Sequence, residues 1–244
     1  MEVHQHSHTP RKKLKHYLFE FIMLFLAVFC GFLAENQREH FIEHKREKQY
    51  MRSMIQDLQA DSAHFTFLIA HFEPKIIGMD TVIAEFPKVI NKLSIPFVRN
   101  LPHLVGYEDL VPNDRTIQQL KNAGAMRLIR KINVSDSIVE YDKKIKDLFK
   151  EEDGLAILFN RFMDLGEILD IEEIIKPILN KDYEELEKSK KDIIITKNKS
   201  ILSKYYNQMW TYQYICRVYL KQLKEIKSQG IRLIRLLKEE YNLK

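Results

Sequence analysis

The chain has 244 residues, with 39 Lys or Arg set against 34 Asp or Glu, and is long enough for one domain with its own hydrophobic core. Seven Gly and seven Pro are few for a β or α/β fold, and the abundance of Lys, Glu, Leu, Ile and Asp suits long helices. Two cysteines, Cys30 and Cys216, exclude a disulfide framework and leave the compartment undecided.

Residues 1–16, MEVHQHSHTPRKKLKH, read as a polar, His-rich tail on the cytoplasmic side. Its alternating His4, His6 and His8 admit a metal-binding reading, but a solvated tail without fixed geometry is the expectation. Residues 17–34, YLFEFIMLFLAVFCGFLA, form an apolar run broken only by Glu20. As a helix the run is about 27 Å long, close to the thickness of a bilayer's hydrocarbon core. Bulky Phe32 and Phe29 occupy the places where a cleavable leader needs small residues, so the run reads as a retained transmembrane helix. Arg11, Lys12, Lys13 and Lys15 abut it, whereas most downstream bases begin more than ten residues beyond it. That bias places the N-terminus in the cytoplasm and the body outside, at the bacterial inner membrane with the body in the periplasm.

Glu20 lies about 4.5 Å into the run, where His16 and Lys13 precede it on the same face, so a snorkelling interfacial carboxylate is expected. Glu20, Leu24, Ala27, Gly31 and Ala34 recur at spacings of four and three. The small residues Ala27, Gly31 and Ala34 make this seam a candidate membrane helix–helix contact, with a second copy or another membrane protein as partner.

Residues 35–50 are polar on nearly every side and read as a helical stalk carried by pairs such as Glu35 with Arg38. Within it His40-Phe41-Ile42-Glu43-His44 matches a zinc-hydrolase spacing. A hydrolase needs a third ligand and a pocket that excludes water, which a polar stalk does not supply, so no metal site is expected.

Residues 51–244 are expected to form a soluble helical bundle. Met51, Met54, Ile55, Leu58, Phe65, Leu68, Ile69 and Phe72 share a helix face, and Pro74 is expected to end that helix. A second helix is expected over 75–92, interrupted near Pro87. Five prolines between 74 and 112 then rule out a continuous helix over 94–113, which reads as a packed loop or a partner-binding one. A short helix over 114–122, capped by Asn113 or Asp114 and ended at Gly124, continues for a turn or two over 125–131. A long acidic helix over 134–170, a break near Pro177 and a long basic helix or helix pair over 182–241 complete the chain. The acidic and basic helices are expected to lie antiparallel, offsetting each other's charge.

Tyr205, Tyr206, Trp210, Tyr212, Tyr214 and Tyr219 lie among Lys204, Arg217 and Lys221. Such a mixture can bind single-stranded nucleic acid or anionic lipid, but aromatics at helical spacing belong more often to a bundle core, and nucleic acid is not an expected partner. The stretch QQLKNAGAMRLI lacks the basic recognition helix of a helix-turn-helix. With no phosphate-cradling glycine loop, nucleophile elbow or paired CxxC, neither catalytic residues nor cofactors are expected.

The run EFIMLFLAVFCGFLAENQREH, with MEVH before it and EKQYMRSMIQDLQAD after it, resembles a family of uncharacterised bacterial single-pass membrane proteins. Their span has the form E-F-x-M-x-F-L-A-V-x-x-G-F-x-A-E. A looser likeness covers QQLKNAGAMRLIRKINVSDSIVEYD. The resemblance implies an envelope protein with a helical body and brings no catalytic residues. The expectation is an all-α protein: one N-terminal transmembrane helix continuing into a stalk, then a bundle of about four or five helices. Functionally, a non-enzymatic scaffold or assembly partner leads. A periplasmic ligand-binding or sensory ectodomain is the first alternative. The second is a binder of anionic polymer or nucleic acid using Lys221, Lys224 and Arg232 of the basic helix.

Overall fold

A computed structural model describes residues 14–106, 108–162, 164–189 and 191–243. The His-rich tail therefore lies outside the described residues, apart from residues 14–16. The protein is all-α: among the described residues an isolated antiparallel bridge, Leu169 to Ile194, is the sole β-type pairing. Contacts divide the chain into a unit up to Gln49 and a unit from Tyr50 onward.

The first unit is helical from Leu14, as the leading part of the 76-residue helix α1, Leu14–Val89. α1 holds the one stretch among the described residues that is long and apolar enough to cross a membrane, and none of it is buried inside the structure. Phe19, Leu24, Val28 and Phe32 are each about two-thirds or more exposed. In the polar segment that follows, the Arg38 guanidinium donates to both Glu35 oxygens at 2.9 and 2.5 Å.

The second unit is built on three long helices: the rest of α1, α4 (Ile132–Phe162) and α7 (Lys199–Tyr241). Each buries a seam whose steps alternate between three and four residues, apart from one step of seven on α4. On α1 the seam is Met51, Met54, Leu58, Asp61, Phe65, Leu68, Phe72, Lys75, Met79, Val82, Phe86 and Val89. On α7 it runs Leu202, Tyr205, Met209, Tyr212, Cys216, Tyr219, Leu223, Ile226, Gly230, Leu233 and Leu237. Val134, Ile138, Tyr141, Ile145, Leu148 and Leu155 supply α4. This seven-residue periodicity keeps one stripe of each helix against its neighbours, as in a coiled coil. Lys224 pairs with Glu73, Arg217 with Asp80, and the Tyr206 ring stacks on Phe86, so α7 runs antiparallel to α1. Lys131, just before α4, reaches Glu240 near the end of α7, which makes α4 and α7 antiparallel as well.

The boundaries expected from proline are corrected. α1 passes through Pro74 and Pro87 and ends at Val89, with no separate helix beginning at 75. Proline removes one ladder hydrogen bond and crowds the preceding turn. Pro74 and Ala70, whose carbonyl loses its donor, are both exposed, so that oxygen faces water. Burial of Phe72, Lys75, Ile76 and Met79 around this point holds the helix together. Pro177 likewise lies inside α5 (Ile171–Asn180), and the break falls at Lys181, which adopts φ 54°. α4 ends at Phe162 rather than at 170, and a 3-10 turn, Leu165–Glu167, follows. The segment expected as one helix or a pair over 182–241 is a short α6 (Glu184–Ser189), an extended stretch and α7.

The proline-rich segment is a packed connection. It forms α2 (Ile95–Asn100), capped by Ser94, and a 3-10 turn, Leu101–Leu104, and it buries Phe97, Val98, Leu101, Leu104 and Leu110. It leads to α3 (Arg115–Asn122), after which Gly124, at φ 60°, turns the chain into the 3-10 turn Ala125–Leu128. Only glycine takes that backbone angle without strain.

Candidate functional site

The residues singled out for membrane contact, Glu20, Ala27, Gly31 and Ala34, all lie exposed on α1. The Glu20 carboxylate sits 3.2 Å from His16 Nε2, so the expected pairing forms with His16, while Lys13 lies outside the described residues. A side chain placed at Gly31 would meet nothing within 4 Å, which leaves that face open to another helix. Further along, His40 lies 3.9 Å from Glu43 and His44 3.3 Å from Glu47, so each histidine of the zinc-like motif has a carboxylate neighbour one turn on. No group of three or more His, Cys, Asp or Glu able to hold a metal occurs among the described residues.

The second unit concentrates its buried polar chemistry along one connection, the strap 105–116. The α1 seam carries two polar residues two heptads apart, Asp61 and Lys75, and both reach this strap. Lys75 Nζ donates to the carbonyl of Val105 at 3.1 Å and to that of Gly106. His64 Nε2 lies 3.2 Å from the Asp109 carbonyl and 3.4 Å from the Val111 amide nitrogen. Asp61 Oδ1 accepts from Asn113 N at 2.6 Å and Nδ2 at 3.0 Å, and its Oδ2 accepts from the Tyr141 hydroxyl of α4 at 3.1 Å. Asp57 accepts from Arg115 at 2.8 Å and from the Thr116 amide at 3.0 Å. From the α4 side, Glu152 Oε1 accepts from Leu110 N at 2.7 Å. As the α1 partners descend from 75 to 57 the strap partners ascend from 105 to 116, so the strap lies antiparallel along α1 and contacts both α1 and α4.

Burial sets the electrostatics of these groups. It lowers the Lys75 pKa, since leaving water disfavours the ammonium, although two carbonyl acceptors and the Tyr212 ring, 5.5 Å away, face that charge. It raises Cys216 to about 11, against the opposing pull of Lys75, which makes this thiol a poor nucleophile at neutral pH. His103 is lowered by burial and by Lys75 beside it. Glu152 is raised by burial, with the Asp109 and Asp153 carboxylates acting in the same direction. Tyr219 is also raised by burial, and its hydroxyl has no hydrogen-bond partner among the described residues. Glycine admits His103 to its place, because a Cβ on Gly78 would lie 2.1 Å from the ring's Cδ2. Of these groups Lys75 and Glu152, with Asp57 and Asp61, hold the connection down.

The open features lie on the outside. A groove of about 810 Å³ between α1 and α7 has Ile76, Ile77 and Leu220 on its floor and Arg217, Lys221, Lys224 and Arg232 along one wall. It thus gathers the three cations that the sequence marks for polymer binding. The aromatic run divides: Tyr205, Tyr212 and Tyr219 are core, while Trp210 and Tyr214 face solvent. Sequence reasoning missed Asp61, Lys75 and Gly78. The first two carry a readable signal, being polar residues at apolar seam positions once the heptad phase is continued past Pro74. No protein-family model, curated protein or solved structure matches the chain.

Proposed function

We propose that this protein is a non-enzymatic, membrane-anchored scaffold or assembly partner of the bacterial envelope. Residues 17–34 cross the inner membrane once, with the N-terminus in the cytoplasm and the helical body in the periplasm. One observation carries the reading: an eighteen-residue apolar helix with no part buried by its own chain. Leaving a large apolar side chain in water forgoes about 1.5–3 kcal/mol. Over this run the sum reaches tens of kcal/mol, larger than the whole stability of an ordinary domain, about 5–15 kcal/mol. A bilayer removes that cost, and a helix brings its backbone groups already satisfied. The Ala27, Gly31 and Ala34 face then meets a second copy or another membrane protein. The buried Asp57, Asp61 and Lys75 and the half-buried Glu152 all fasten one connection, a use of polar groups that suits a scaffold. The test is extraction: the full chain should stay with membranes through alkaline carbonate and leave only with detergent. Recovery in the carbonate supernatant would refute the anchor. A reporter fused at Lys244 reads the side on which the body lies, and activity from a cytoplasm-only reporter would reverse the orientation.

A further inference from the structure

The body carries two strongly opposed charge segments. Residues 164–187 hold nine Asp or Glu against two Lys, and residues 217–238 hold seven Lys or Arg against one Glu. Among the described residues no ion pair joins one segment to the other. Arg217 and Lys224 turn to Asp80 and Glu73 on α1, while the acidic segment pairs through Lys176, Lys188, Lys191 and Lys204. Both segments also present apolar surface. On α5, Ile171, Ile175 and Leu179 are 43%, 45% and 74% exposed and recur every four residues, forming one stripe beside Glu172. The basic segment borders the α1–α7 groove, where Ile77 is 67% exposed. Lys221, whose carboxylate neighbour Glu225 is 3.9 Å away, and Arg232, which donates to Ser228, line the same groove. Lengths agree as well: α5 spans about 15 Å, and the groove's α7 wall from Arg217 to Arg232 about 22 Å.

We propose that the α1–α7 groove is the docking site for α5 of a second copy of this chain, making the body a head-to-tail self-assembling module. The apolar stripe of α5 covers Ile77 and Leu220, and the acidic segment around it meets the basic wall. One copy offers its helix and receives another's in a different place, so the contact is heterologous and builds rings or open chains. This names the partner within the scaffold reading and depends on that reading only for its biological meaning.

The test uses the full chain in detergent, with mass measured by light scattering on a sizing column. A helix variant, Ile175→Gln with Leu179→Gln, and a groove variant, Lys221→Glu with Arg232→Glu, change exposed positions, and unchanged thermal unfolding verifies that both fold. The wild type should form concentration-dependent species larger than either variant alone. Mixed one to one, the variants should associate again, because each retains the half that the other lost, and the product should stop at one joined pair. Variants that keep the wild-type mass, a mixture that stays apart, or a wild type that matches the variants at every concentration each overturn the proposal. Contacts through the membrane span are common to all samples and cannot produce complementation. A chain that needs no detergent would refute the anchor while leaving the mixing result readable.

Discussion

Asp61 is the residue on which the strap's attachment turns. It is 2% exposed and accepts from three donors, two on Asn113 and one on Tyr141. Asp61→Ala removes every acceptor at once. Tyr141 is itself 5% exposed, so its hydroxyl is stranded, at about 1–3 kcal/mol. Asn113 is exposed and turns to water, losing only the net worth of bonds to a charged group, about 1.5–3 kcal/mol. Relief of the buried carboxylate's desolvation offsets part of this. The net expectation is a loss of about 3 kcal/mol. For a unit spanning residues 50–244 this corresponds to a drop in Tm of about 6–12 °C, read by far-UV circular dichroism of the detergent-solubilised chain. Asp61→Asn keeps one acceptor and should lose about half as much. Tyr141→Phe in the Asp61→Ala background should cost less than it does alone, since the stranded hydroxyl is gone, leaving a coupling energy above about 0.5 kcal/mol. Strict additivity of the two changes, or a Tm within about 2 °C of wild type for Asp61→Ala, would refute the assigned role. Amide exchange of residues 108–113 should rise in the same variant.

Gly78→Ala should destabilise by about 1–3 kcal/mol, against the gain of about 1 kcal/mol that helix propensity alone gives, because the His103 ring must vacate its place. Adding His103→Ala should recover only part of the loss, because its own Cβ would still lie 2.8 Å from the new one, and a Gly78→Ala variant that melts above wild type would sink the packing argument. Tyr219→Phe removes a buried hydroxyl that has no partner among the described residues while keeping the ring against Phe72, so it should stabilise by about 1 kcal/mol. A clear loss of Tm there would show that the hydroxyl is bonded. Glu152 titrates above the ordinary 4.5 in the folded chain, so its charged form opposes folding at neutral pH, and that penalty fades as pH falls through the raised value. Glu152→Gln, whose side-chain oxygen still accepts from Leu110 N, should melt higher than wild type at pH 7. The gap should close below about pH 4.5, and a gap that widens on acidification would contradict the assignment.

The helical class and the heptad-like faces were legible because apolar periodicity is a property of neighbouring residues. Breaks were less so. A rule that stops a helix at proline weighs one lost hydrogen bond and a clash, about 3 kcal/mol, against local preference alone. At Pro74 the deciding terms are the packing of Phe72 on Tyr219 of α7, the burial of Met79 and the exposure of Ala70, and none of them is local. The expected charge pairing of α4 with α7 was half right for a similar reason. The two helices are antiparallel neighbours, yet they meet through their apolar seams, and Arg217 and Lys224 of α7 find their acids on α1.

The buried polar residues show where sequence reading stops and why. Continuing the seam of α1 in steps of three and four from Met51 lands on Asp61 and Lys75, and a charge at such a position must be paired or it costs several kcal/mol. The sequence thus announces that partners exist for both. It cannot name them, because Asn113 lies 52 residues from Asp61 and Val105 lies 30 from Lys75, and the connection that follows Val89 has no periodicity to fix its path. The strap takes its course because it offers carbonyls and amides at matching heights along α1. Replacing Asp61 and Lys75 together with Leu and Met would therefore give a greasier seam but a strap with fewer attachments. Protection of strap amides should fall even where the global Tm holds. A strap that stays protected in that double variant would mean that buried Leu104 and Leu110 fix the connection by packing, with the polar residues merely accommodated beneath it.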